Sequence, residues 1–453
     1  MGKLLSLLLA LCIILTSVPN KQLDVAAPSP EESPEQVSSI APTQVATEQV
    51  VREVTVSPEI EYYYPYAIIN TDARKTAELA ATPTIPFDGK VAIVLGYPNG
   101  GELEHHAAVL IAKRYGQEKV ILAKCPTNSM VEQEAVLRTV TELGADPEVK
   151  VLIIGETLPG TAEAIDKLRE LREDVLIICI VPYVNDYRKI ARKTDIGLTA
   201  DILGDGSEMV RQAKKMSADT LVCYTLQPDM LMYPMQLAKR KLVEQECIEL
   251  DIEFVEVSIP LSTEDTYIQK IQEFVQEDIF RAVATHGKDT AFLCVSNQFI
   301  GIIAGIISEA APEAGAIIPD HRNSMYNFYA PRLVRNLNTS LYNTPEGMEE
   351  TRRILAEKNM LGRISVWPET FMFTAINASM DYAIKWINGD VPKEGVDRGV
   401  LAQLMTDYAG TQAHLTPFVD EYPYTEYYRY TGEGTGETFD NFLLMRLDHL
   451  IIE

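Results

Sequence analysis

Several polar residues stand where a ligand could be held or a proton moved. Glu102, Glu104, His105 and His106 open one helical stretch; Glu156-Thr157 and Asn297-Gln298 each follow an apolar run; Asp320-His321 lies in a long polar connection. Carboxylates beside imidazoles can act as acids and bases or hold a metal. The spacing argues against both here. Adjacent His105 and His106 point to different faces of a helix and cannot easily clasp one ion. Six histidines in 453 residues are a thin supply for proton transfer. Gly96-Tyr97-Pro98-Asn99-Gly100-Gly101 occupies the slot of a phosphate loop without its spacing. Gly432-Glu433-Gly434-Thr435-Gly436 has no strand before it, and Gly204-Asp205-Gly206-Ser207-Glu208 lacks the last glycine of a nucleophile elbow. No catalytic residue, metal or cofactor is therefore expected.

The elements that must position these residues follow a βα rhythm. Short apolar runs recur at 91–96, 119–125, 150–155, 175–181, 196–200, 220–226, 253–259, 290–296, 315–318 and 363–367. Near-continuous apolar runs suit parallel strands covered on both faces. Amphipathic stretches fill the gaps; in 159–174, Ala162, Ile165, Leu168 and Leu171 share one face. Alternation of this kind predicts an α/β, doubly wound parallel-sheet fold. Ten strands are many for one sheet, so two lobes joined by a hinge are expected. The first lobe is read as 88–201 plus 326–410 and the second as 202–325.

In such lobes ligands bind beyond the carboxyl ends of the strands. The candidates in the first lobe are Tyr97, Asn99, Glu102, Thr127, Asn128, Glu156, Thr157, Tyr183 and Asn185. In the second they are Gln227, Asp229, Asn297, Gln298, Asp320 and His321, with Trp367 joining from the returning chain. The set is amide-rich with tyrosines interleaved. It suits hydrogen-bonded capture of a small polar solute.

The flanks differ from the body. Residues 1–17 place Lys3 before an apolar run, the layout of a secretory signal, so export to the cell envelope is expected. Cys12 stands where a lipid anchor could attach, although Leu11 before it is large for that role. Residues 18–87 read as a tether and aromatic arm, and 411–453 as an acidic, tyrosine-rich tail; together the two flanks hold nine of the 21 tyrosines near 62–66 and 422–430. The formal charge is −25, of which −14 falls on residues 67–410. That surplus argues against nucleic acid as a partner. The cysteines show no CxxC spacing and read as buried thiols.

The segments SMVEQEAVLRTVTELGADPEVKVLIIGETLPGTAEAIDKLRE (129–170), GSEMVRQAKKMSADTLVCYT (206–225) and GKDTAFLCVSNQ (287–298) resemble an uncharacterised bacterial family with a type I periplasmic-binding-protein-like fold. The resemblance implies an extracytoplasmic solute-binding protein, two lobes closing on a small polar molecule, with an ABC permease or a membrane sensor as reader. The rivals are an exported α/β enzyme using cleft carboxylates (Glu102, Glu156, Asp229 or Asp320) and a surface interaction module with tyrosine-rich flanks. The enzyme would need two of those carboxyls close together with pKa values pushed apart.

Overall fold

The computed structural model describes residues 83–96, 102–124, 133–180, 187–226, 234–259, 267–295, 303, 306–307, 345–367, 369–421 and 434–453. The first lobe begins with four βα steps and a fifth strand: β1 (Lys90–Leu95), α1 (Glu102–Tyr115), β2 (Val120–Lys124), α2 (Gln133–Ala145), β3 (Val149–Ile154), α3 (Thr161–Leu171), β4 (Leu176–Ile180), α4 (Tyr187–Ala191) and β5 (Ile196–Ala200). The chain then enters the second lobe through α5 (Gly204–Lys215), β6 (Thr220–Leu226), α6 (Pro234–Glu249), β7 (Glu253–Ile259), α7 (Tyr267–His286), β8 (Thr290–Cys294), α8 (Pro345–Glu357) and β9 (Ser365–Val366). It returns to the first lobe through α9 (Phe371–Asn388), α10 (Arg398–Ala409), β10 (Ala413–Val419) and β11 (Thr438–Leu447), and ends on β12 (Leu450–Ile451).

The first sheet has the order β10-β11-β5-β4-β3-β1-β2. All neighbours are parallel except the edge pair β10–β11. Its inner strands β1, β3, β4 and β5 are buried on both faces. In β1, Val91, Ile93 and Leu95 join the core under α1, α9 and α10. Ala92 and Val94 join the opposite core with α2, α3 and α4. Alternation along a strand sends neighbouring side chains to opposite layers. The helices that close the first core are bounded by their own residues. Thr370 accepts from Phe373 N to start α9 and Asp397 accepts from Val400 N to start α10, while Gly389 and Gly410 end them at positive φ.

The second lobe holds a parallel sheet, β7-β6-β8. One core packs Val222, Tyr224 and Phe292 under α7. The other packs Leu221, Cys223 and Leu293 against α5 and α6. The four described cysteines, Cys179, Cys223, Cys247 and Cys294, are free and buried, as their apolar settings predicted.

Two stretches differ from the sequence expectation. Residues 345–366 pack in the second lobe, where Leu355, Met360, Ile364 and Val366 join its core. Residues 411–453 carry two strands of the first sheet and one of the second lobe, so they are structural where a solvated tail was expected. The signal was present but obscured. Phe442-Leu443-Leu444-Met445 is an apolar run set among acids, and Pro417 breaks the pattern of β10. That proline is tolerated because β10 is an edge strand and its register shifts between Pro417 and Phe418.

The lobes are joined by three crossings: after β5, between β9 and α9, and between β11 and β12. The first and third leave the carboxyl ends of two parallel strands. The second starts α9, whose Ile376 lies over Gly155 at the carboxyl end of β3. All three therefore lie at the carboxyl edge of the first sheet. From there α5 runs away through the second lobe and β6 runs back, which turns the carboxyl end of β6 toward the same junction. Backbone bonds hold the crossings together: Asp201 N donates to Met445 O at 2.8 Å, and Ile452 N to Ile364 O at 2.9 Å. Trp367, fully buried, packs its ring 6.1 Å from that of His449. His449 Nε2 lies 3.9 Å from Asp205 Oδ1, and Arg446 lies 3.9 Å from Glu208 across the same seam.

A close approach fixes where β11 sits. A Cβ on Gly197 of β5 would fall 2.2 Å from the Phe442 ring. Gly197→Val is expected to destabilise by about 1–3 kcal/mol, as overpacking does, read by urea unfolding. A chain ending at Gly410 loses β10, β11 and β12 and is expected to lose its cooperative unfolding transition; an unchanged melt would contradict this topology.

Candidate functional site

The carboxyl edge of the first sheet gathers two described side chains near one glycine. Gly96 follows β1, Glu156 follows β3, and His105 lies one turn into α1. Gly96 leaves space that the Glu156 carboxyl takes. A Cβ on it would lie 1.2 Å from Glu156 Oε2, so the carboxyl occupies the volume that any other residue would fill. His105 Nε2 donates to the Gly96 carbonyl oxygen at 3.2 Å.

The electrostatics of the pair are opposite. Burial pushes the Glu156 carboxyl up to about 7, with no counter-charge to offset it. Burial, aided by the Lys124 charge at the end of β2, lowers the His105 imidazole to about 4 against the pull of the Gly96 carbonyl. The site thus holds a neutral imidazole and a carboxyl that titrates near neutrality. Such a carboxyl can donate or accept a hydrogen bond according to what arrives. Among the described residues no group of three or more His, Cys, Asp or Glu could hold a metal ion.

The predicted site residues fall into distinct places. Glu156 is half-buried at the strand ends. Thr157 beside it is fully buried, and both its backbone N and its Oγ1 donate to the Ile180 carbonyl, which ties β3 to β4. Glu102 is the first residue of α1. Trp367 is buried in the inter-lobe junction, where it has no face left for a stacking solute. Tyr97, Asn99, Thr127, Asn128, Tyr183, Asn185, Gln227, Asp229, Asn297, Gln298, Asp320 and His321 lie outside the described residues, as does Cys12. His105, expected at a solvated helix start, is instead only 5% exposed. The stripe His105, Ala108, Ala112 and Tyr115 at helical spacing was the signal for it. Gly96 was legible only as part of a failed phosphate loop.

Comparison with known proteins agrees with this architecture. Residues 89–365 match the family described as "Protein of unknown function (DUF3798)". The chain belongs to that family. It is similar to an uncharacterized protein of Treponema pallidum (strain Nichols), 23% identical over 189 residues, which spans 42% of this chain and 87% of the relative. Its fold is similar to that of a candidate transcriptional regulator from Clostridium difficile 630, with TM-score 0.68 and 18% identity over 81% of this chain and all of the other. A sugar ABC transporter structure from Actinomyces odontolyticus ATCC 17982 aligns with TM-score 0.43 and 10% identity, over 67% of this chain and 84% of that one. The fold is α/β with parallel sheets, as the sequence rhythm predicted, and is shared with that regulator. Among the described residues no helix is long and apolar enough to cross a membrane.

The two shifts have opposite consequences for stability. Glu156 holds its proton more tightly folded than unfolded, so its contribution is complete below about pH 4.5 and is lost as pH rises through about 7. His105 binds its proton less tightly when folded, so its contribution is complete above about pH 6.5 and is lost as pH falls toward 4. Glu156→Gln is expected to be more stable than the parent by on the order of 1–3 kcal/mol at pH 8, discounted for partial solvent access. The gain should vanish at pH 4.5; urea unfolding at the two pH values checks it.

Proposed function

We propose that this protein binds a small polar solute between its two lobes and makes or breaks no bond in it. One observation carries the reading: three chain crossings meet at the carboxyl edge of the first sheet, around Trp367 and His449. A junction of that kind lets two rigid lobes rotate while their strand ends stay face to face. A solute that touches both strand-end surfaces favours the closed form by its differential affinity for that form. Glu156 and His105 supply polar groups on the first-lobe surface. The remaining strand-end residues Tyr97, Asn99, Thr127, Asn128, Tyr183, Asn185, Gln227, Asp229, Asn297, Gln298, Asp320 and His321 complete the proposed contact set.

The proposed setting is outside the cytoplasm. Residues 1–17 serve as the export signal, and the Pro-, Ser- and Glu-rich stretch after them spaces the lobes from the envelope. An ABC permease or a membrane sensor then reads the closed form.

Native mass spectrometry of freshly purified protein, followed by small-angle scattering with a metabolite panel, tests the reading. A retained or added small solute should reduce the radius of gyration and be recovered unchanged. Absence of compaction across the panel, or chemical conversion of the solute, overturns it.

A further inference from the structure

We propose that the solute carries a cationic nitrogen, an ammonium or guanidinium group, and that the Glu156 carboxyl pairs with it. This inference rests on the solute-binding reading above. Three other buried acids of the protein have side-chain donors. Asp278 accepts from Tyr224, Asp381 from Tyr408, and Asp420 from Arg188 and Thr435. Glu156 has no hydrogen-bond or ion-pair partner among the described residues, although its oxygen is pressed against the Gly96 backbone. A carboxyl taken out of water with no donor is costly in its charged form, which is why burial pushes it up to about 7. Its environment is therefore incomplete rather than hostile: what it lacks is a donor.

The second group points the same way. A carbonyl oxygen only accepts, so the His105 nitrogen on Gly96 is the protonated one. Nδ1 is then a bare acceptor, and it is buried with no partner. The Glu156 carboxyl and the His105 imidazole both abut Gly96, and the described cation nearby, Lys124, already has an interaction of its own. A donor-rich cation answers this arrangement best. Its hydrogen bonds to a carboxylate are charge-assisted and roughly twice as strong as those of a neutral hydroxyl. An anionic group would meet the carboxyl as a like charge. The net charge of −14 on residues 67–410 draws cations toward the protein as well.

Titration calorimetry of the full chain with putrescine, L-arginine and choline, against ribose and myo-inositol, tests the assignment. At pH 7.5 a cationic probe should bind and compact the protein in scattering. Its affinity should fall as pH drops from 7 to 5, because the carboxyl must give up its proton; the His105 imidazole, lowered to about 4, stays neutral across that range, and the Lys124 charge acts on His105. Glu156→Gln should weaken cation binding at least tenfold and Glu156→Asp less. Gly96→Ala should weaken it too, by displacing the carboxyl without changing any charge. Melting curves of the three variants show that each is folded. Unchanged cation affinity in Glu156→Gln overturns the assignment. Compaction by ribose or inositol alone also overturns it while the solute-binding reading stands. No response to either class of probe sinks both.

Discussion

The pairing of β11 with β5 is the contact on which the rest of the molecule depends. It places a strand from the far end of the chain inside the first sheet, one strand from its edge, with the Phe442 ring against Gly197. Because β11 runs parallel to β5, both strands leave the sheet on the same edge, and two of the three crossings are brought side by side. The third crossing closes the group through Trp367 and His449. A side chain at position 197 would push Phe442 away and separate the crossings. The geometry of the cleft thus follows from the absence of one Cβ atom.

Charge is managed differently in the two halves of the site. At the junction, acids and bases from different crossings face each other, so Asp205 meets His449 and Glu208 meets Arg446. For Glu208 the facing Arg446 guanidinium offsets part of the cost of burial. At the strand ends, Glu156 is buried without such compensation. Desolvation of a polar group without a partner disfavours its charged form, and a ligand that restores the missing interaction gains the energy that the empty protein forgoes. The first arrangement keeps the lobes connected; the second leaves one surface waiting for a donor.

Much of this was legible in the sequence because parallel strands buried on both faces announce themselves as continuous apolar runs. Each apolar run from 91–96 through 290–296 became a strand, including β7, where Glu253 and Glu256 interrupt the apolar residues. Glu156 was legible for the same reason: it follows such a run directly. The failures share a different cause. β10 and β11 are edge or late strands in an acidic setting, and β10 contains Pro417. His105 looked solvated because charged neighbours masked its apolar stripe. Trp367 looked like a cleft residue because it ends a strand, yet that strand is a two-residue element at the junction, where large side chains fill the seam. Local pattern reports the layer a residue belongs to; it does not report which layers a distant crossing brings together.

The late position of β11 also bears on when the protein can fold. Until residues 438–447 have left the ribosome, β5 has an open edge and the first sheet has no third crossing. Pairings this distant in sequence are slow to form, because a long loop must close before they contribute. The second lobe, by contrast, builds its parallel sheet from residues within 220–294. Synthesis from the N-terminus therefore yields the sheet of the second lobe early, while its core still awaits residues 355–366 and Ile452 and the first sheet awaits β11. A chain in that condition stays pliable until it is nearly complete, a useful property for any protein that must be threaded through a narrow pore before it takes its final shape.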